Sequence, residues 1–163
     1  MNVLIAPQGF KGSLSPTEVS AAMRMGVHRR FPEAQIAELP IADGGDGTLE
    51  VLIAVSNGKI FSSMVCGPNG ENISVNWGVM GDDRTVVIEM AKVCGLSLLT
   101  SKQQNPLTST TKGVGQIILS GLNAGYRNFY LGLGGSATND LGVGVMTALG
   151  IRFMDSELRS IGP

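Results

Sequence analysis

Three glycine-bearing runs hold the side chains that could do chemistry. In Gly134-Gly135-Ser136-Ala137-Thr138-Asn139-Asp140, adjacent glycines let backbone N–H groups approach an anion, and Ser136 and Thr138 add hydroxyl donors ahead of an expected helix N-terminus. The same run also suits a tight turn in which Asn139 or Asp140 caps the next helix. Asp43-Gly44-Gly45-Asp46-Gly47 sets two carboxylates among glycines. They suit a hydrated magnesium ion, which takes one or two protein carboxylates together with waters and phosphate oxygens, or the acceptance of a proton from a hydroxyl. They equally suit a surface turn in which Asp46 caps a helix. Lys11 lies among Gly9, Gly12 and Ser13. It could clamp a phosphate or carboxylate as a mobile point charge, or simply be a solvated loop lysine. Thr110 or Thr111, ahead of Lys112, reads as a helix cap.

Other chemistries lack their residues. The sequence has no G-x-x-x-x-G-K-[ST] phosphate loop and no G-x-S-x-G nucleophile elbow. Gly113-Val114-Gly115 lacks the third glycine of a dinucleotide fingerprint. Cys66, Cys94 and the single histidine, His28, do not make an ordinary zinc site. Trp77, Met80 and Met90 read as packing residues.

Each of the three runs follows an expected strand and precedes an expected helix. In open α/β sheets, ligands bind beyond the carboxyl ends of the strands, so the three loops would line one crevice if their strands share a sheet. Asn2–Ala6 reads as a buried strand. Ser15-Pro16-Thr17-Glu18 then combines an N-cap, a first-turn proline and a capping-box acid. The helix that follows would present Val19, Ala22, Met23, Gly26 and Val27 inward. Gln35–Leu39 reads as a strand and Thr48–Ser56 as a helix. Lys59–Cys66, Asn72–Val79 and Thr85–Ala91 read as strands of an antiparallel meander, punctuated by Pro68-Asn69-Gly70 and Gly81-Asp82-Asp83. Helical spacing returns over Thr111–Leu122, a buried strand over Asn128–Leu133, a small-residue helix over Leu141–Leu149 and a short strand over Ile151–Met154. The expected fold class is α/β: a parallel sheet flanked by helices, with an inserted antiparallel meander over residues 59–91.

The chain has 163 residues, 43% of them hydrophobic and 15% charged, with a mean hydropathy of +0.20. That excludes a disordered chain. Twelve Lys and Arg against 13 Asp and Glu leave a net charge of -1, which gives no basic surplus for nucleic acid. No apolar run approaches the ~20 residues of a membrane span. Two cysteines do not form a disulfide framework; a cytoplasmic protein with reduced thiols is expected. Glycine, at 23 of 163 residues, is about twice its usual ~7%, as expected of many tight strand-end loops.

The sequence resembles the N-terminal part of bacterial glycerate kinases of the type I family. The matching pieces are NVLIAPQGFKGSLSPTEV, PIADGGDGTLE, VIEMAKVCGL, NPLTSTTKGVGQII and LGLGGSATNDLGVGVMTALG. They cover nearly the whole chain, and ADGGDGT together with GGSATND is quite specific. The resemblance implies transfer of the γ-phosphoryl group of ATP to D-glycerate to give 2-phosphoglycerate, with magnesium as the metal. Gly134, Gly135, Ser136, Thr138 and Asn139 are then expected to hold nucleotide phosphates, and Asp43 and Asp46 the metal. Asp43, Asp140 and Lys11 are expected to carry catalysis, with the division of base and metal roles between Asp43 and Asp140 left open. Members of the family are longer and consist of two α/β domains around a cleft, so residues 1–163 are expected to be the N-terminal part of such a kinase. The family's first loop carries Asp where this chain has Gln8, and a glutamine is neither a base nor a strong magnesium ligand. The alternative is a non-catalytic α/β module derived from the family. Self-association into a homo-oligomer is compatible with either reading.

Overall fold

The apolar run Val86-Val87-Ile88 becomes the centre of the molecule. In the computed structural model, which describes residues 1–161, it lies in β5 (Thr85–Glu89), every residue of which is buried. Alternation along a strand sends neighbours to opposite faces. Val86 and Ile88 join one core cluster with Val65, Val75, Trp77, Val79, Met90, Val93, Cys94, Val114 and Ile117, while Val87 joins Leu49 and Ile53 in a second. The sheet is therefore covered on both sides, by α4 (Lys112–Asn123) on the first face and α2 (Thr48–Ser56) on the second.

This sheet has the order β3-β4-β5-β6, with β3 spanning Lys59–Cys66, β4 Asn72–Val79 and β6 Asn128–Gly132. β3 pairs antiparallel with β4 and β4 with β5, whereas β6 runs parallel to β5, with Val87 opposite Tyr130 and Glu89 opposite Gly132. β1 (Asn2–Ile5) and β2 (Gln35–Glu38) form a separate parallel pair. Between them runs α1 (Pro16–Arg30), opened by the expected capping box: Glu18 N donates to Ser15 Oγ at 3.3 Å, and Ser15 N donates to Glu18 Oε2 at 2.8 Å. After β5 come the short α3 (Met90–Cys94) and a 3-10 turn, Leu96–Leu98. α5 (Val143–Ala148) and a hairpin of β7 (Phe153–Met154) and β8 (Ser160–Ile161) complete the described chain.

The α/β class and the meander hold, and Trp77 and Met90 are buried as expected. Several details differ. The strands before the three glycine runs do not share one sheet: β1 and β2 stand apart from β6, which instead extends the meander. The second and third loops are nevertheless joined, Gly134 N donating to Gly44 O at 2.8 Å. Because β1 has only β2 as a neighbour, it is not a buried strand; Ile5 is enclosed but Leu4 is 65% exposed. The inner face of α1 is narrower than its spacing suggested. Met23 is exposed, and Ser20 is buried, donating to Glu38 Oε2 at 2.8 Å. β6 is an edge strand with Tyr130 and Leu131 exposed. The third meander strand stops at Glu89 because Met90–Cys94 turns helical. α5 is shorter than Leu141–Leu149, since Leu141 (φ 53°) and Gly142 (φ 77°) adopt left-handed backbone before it.

Candidate active site

The Asp43–Gly47 and Gly134–Asp140 loops are joined main chain to main chain. Gly134 N donates to Gly44 O at 2.8 Å. A Cβ on Gly132 would stand 2.7 Å from Gly44 O, and one on Gly134 would stand 2.7 Å from Gly45 Cα. Both values lie inside contact distance, so the two backbones can approach this closely only as glycine. The second loop is also tied to the segment after β5: Leu96 N donates to Gly135 O at 2.9 Å and Ala137 N to Cys94 O at 2.8 Å.

Around this junction the expected residues take different positions. Asp43 is exposed. Its Oδ1 accepts from Gly45 N at 2.9 Å, and its other oxygen has no hydrogen bond among the described residues. Asp46 is exposed and does not cap α2; its Oδ2 lies 3.9 Å from where a Gly135 Cβ would stand, which puts it at the junction of the two loops. The Gly135 and Ser136 amides donate no hydrogen bond among the described residues. Ser136 Oγ and Thr138 Oγ1 share one hydrogen bond of 2.7 Å. Two hydroxyls so paired retain a proton to offer outward. Asn139 is exposed.

Asp140 is heavily engaged. Its Oδ2 accepts from Thr111 N (2.9 Å), Thr111 Oγ1 (2.8 Å) and Gly144 N (3.1 Å), and its Oδ1 from Gly142 N (3.0 Å). It thereby fixes the starts of both α4 and α5. Burial raises its pKa, but the Thr111, Gly144 and Gly142 donors outweigh burial and hold it below the ordinary aspartate value. Thr111 is the N-cap residue of α4, yet its hydroxyl serves Asp140 and Val145 N instead of its own helix. Lys11 is exposed on the turn closed by Phe10 N to Leu14 O at 2.8 Å. Among the described residues nothing ties it to either acidic loop directly. That turn reaches the others through Pro16, whose Cδ would lie 2.7 Å from a Cβ on Gly47.

Glu89 is a site residue that the spacing arguments missed. Period-2 alternation puts it on the same face as Val87, toward α2. It is fully buried and accepts from Gly47 N (Oε1, 3.1 Å) and Leu49 N (Oε2, 2.8 Å). It therefore does the capping that Asp46 does not. Lys92 lies 3.9 Å from it and 2.9 Å from Glu50. Burial raises the Glu89 pKa above the ordinary glutamate value, against the Leu49 amide and the Lys92 charge. The available signal was a lone acid closing an otherwise apolar run, Val86-Val87-Ile88-Glu89-Met90-Ala91. Cys94 lies beneath the second loop; burial pushes its thiol up to about 11 despite hydrogen bonds with Ser136 and Thr138, so it is inert near neutral pH.

The described residues contain no group of three or more metal-ligating side chains. The donor set fits a magnesium ion held largely by water and phosphate, with Asp43 or Asp46 as the protein ligand. Two concavities of ≈ 450 and ≈ 460 Å³ lie elsewhere, one at Arg84, Tyr126 and Arg127 and the other on the open face of β1 and β2.

The site is thus built in an α/β protein from two strand-end loops seamed by glycine and edged with carboxylates and hydroxyls. The sequence profile of the Glycerate kinase family matches residues 3–163. The chain is 46% identical over 163 residues to a glycerate kinase of Bacillus subtilis (strain 168), and 43% identical over 162 residues to a glycerate 2-kinase of Escherichia coli (strain K12). A crystal structure of a candidate glycerate kinase 2 from Salmonella typhimurium LT2 superposes with a TM-score of 0.80 at 40% identity, covering 99% of this chain and 43% of that one. The chain belongs to the glycerate kinase family. It spans 43% and 42% of the lengths of the B. subtilis and E. coli relatives respectively.

Proposed function

We propose that this chain supplies the phosphate-holding and acidic rim of an ATP-dependent glycerate kinase, which transfers the γ-phosphoryl group of ATP to D-glycerate to give 2-phosphoglycerate. The observation that carries this reading is the Gly44–Gly134 junction, which puts a carboxylate loop beside a loop whose Gly135 and Ser136 amides have no acceptor among the described residues and whose paired Ser136 and Thr138 hydroxyls keep one proton to donate. Phosphoryl transfer asks mainly for positioning and charge neutralisation, and these are the groups it uses. Gly134, Gly135, Ser136, Thr138 and Asn139 would hold phosphate oxygens. Asp43 and Asp46 would hold magnesium, which neutralises phosphate charge when bound. Asp43, with one oxygen unengaged among the described residues, is suited to accept the glycerate hydroxyl proton, in which case Asp46 alone would hold the magnesium. Asp140, whose oxygens are filled by four donors, is suited to fix the loop rather than to accept a proton. Lys11, whose side chain has no hydrogen-bond or ion-pair partner among the described residues, would pair with the glycerate carboxylate or the transferring phosphoryl group. Two free thiols, one of them buried, fit a reducing cytoplasmic setting.

The test is an ADP-release assay with D-glycerate on the full-length protein that contains this chain, with the product resolved by phosphorus NMR. Glycerate-dependent ADP release with 2-phosphoglycerate as product is the expected result; ATP turnover indifferent to glycerate would overturn the assignment. Gln8, exposed in the first loop where the family carries an acid, favours the binding-module alternative. A protein that binds ATP without turning it over would establish that alternative.

A further inference from the structure

The geometry points to Glu89 as a positioning residue that holds the acidic loop and the glycine-rich loop in one register. The inference rests on the kinase reading for its consequence in turnover, but its structural half stands on distances alone. Glu89 acts on the Asp43–Gly47 loop through its side chain: one oxygen accepts from Gly47 N at 3.1 Å and the other from Leu49 N at 2.8 Å. It acts on the other loop through its backbone, standing opposite Gly132 in the β5–β6 ladder, two residues before Gly134. The adjoining α3 continues the contact, since Ala91 Cβ lies 3.1 Å from where a Gly135 Cβ would stand.

A buried carboxylate is an expensive way to satisfy two helix-start amides. Serine, threonine, asparagine or aspartate at the N-cap itself is the ordinary solution. Here the N-cap is Gly47 at φ 91°, a left-handed residue with no side chain to offer. Pro16 occupies the space that its Cβ would need, with Cδ 2.7 Å away. The acceptor must therefore come from another element, and Glu89 at the end of β5 supplies it. Its bidentate grip fixes the backbone on the C-terminal side of Asp43 and Asp46. Glu89 meets the loop only at backbone amides and hydrogen-bonds to none of its carboxylates, so it acts through the loop and not on substrate.

The experiment compares wild type with Glu89→Gln in the full-length protein. Glutamine keeps the volume but offers one acceptor oxygen, so only one of the two amides stays bound. Amide hydrogen exchange of the peptide containing Gly47 and Leu49 should accelerate at least tenfold, while protection in β4 and α4 stays at the wild-type level. Turnover should fall at least tenfold in kcat, with the KM for ATP within threefold of wild type. A general loss of protection with normal kcat in the folded fraction would make Glu89 a merely structural residue and overturn the proposal, as would unchanged exchange of that peptide. If Glu89→Gln does not fold, Glu89→Asp, which keeps the charge but deletes a methylene, carries the same expectation. If wild type itself shows no glycerate-dependent turnover, the kinase reading fails, and the exchange measurement still decides the positioning claim.

Discussion

Asp43 and Asp140 look alike in sequence, each within a glycine-rich strand-end loop, and the structure treats them differently. Asp43 is exposed with one oxygen unengaged among the described residues, whereas Asp140 accepts four hydrogen bonds. Asp43→Asn in the full-length protein is therefore expected to lower kcat by ~10²–10⁴, the usual range for losing a positioned base, with little change in thermal stability; near-wild-type steady-state rates would remove Asp43 from the mechanism. Asp140→Asn is expected to destabilise by roughly 1–3 kcal/mol, because an amide leaves at least one of those donors without an acceptor. Urea titration measures it directly. The pH dependence follows from the same contacts. The Asp140 pKa is lowered in the fold, so its contribution to stability is present above the unfolded value of about 3.8 and is lost as pH falls through the lower folded value. Midpoints measured from pH 6 down to pH 2 should fall less steeply in Asp140→Asn than in wild type.

At the level of elements, local chemistry was legible and lateral partnership was not. The Ser15, Pro16 and Glu18 signature located the start of α1, and α2, β3 and β4 run over the residues that their patterns indicated, because capping, turn punctuation and alternation act over a few residues. α3 was hidden: Met90, Ala91, Val93 and Cys94 are buried, and Lys92 is the one polar residue in a helix of five residues, too short to betray a helical period. Likewise, no local rule indicates that Thr111 will hold Asp140 across 29 residues, or that β6 will sit beside β5 and not β1. The glycines divide on the same basis. Gly134→Ala should cost ~1–3 kcal/mol, since its Cβ would enter the space of Gly45 Cα. Gly26→Ala, in the exposed interior of α1 with nothing within 4 Å of the added Cβ, should stabilise by ~0.5–1 kcal/mol. Thermal melts of the pair must move in opposite directions; a stabilised Gly134→Ala would refute the close approach of the two loops.

Across the whole molecule, cohesion is uneven. The four-stranded sheet has both faces covered and contains the larger part of the buried core. β1 and β2 form a two-stranded parallel pair whose outer face carries Leu4 at 65% exposure. Parallel strands are ordinarily buried on both faces, and two strands alone are marginal in water. In native-state hydrogen exchange of the 163-residue chain, the β1 and β2 amides should exchange by local opening well before those of β4 and β5, which should open only with global unfolding. Equal protection across the two sheets would contradict this. Among the described residues no helix is long and apolar enough to cross a membrane.

The contact between Gly44 and Gly134 also limits how the protein can be altered. Because it joins peptide groups, with no space for a Cβ at Gly134 and a left-handed backbone of φ 90° at Gly44, it cannot be widened, recharged or reshaped by ordinary substitution without being strained or broken. On the kinase reading, attempts to change which hydroxylated acid is accepted should therefore alter the turn carrying Lys11 and leave the stitched backbone, with Ser136 and Thr138 beside it, untouched.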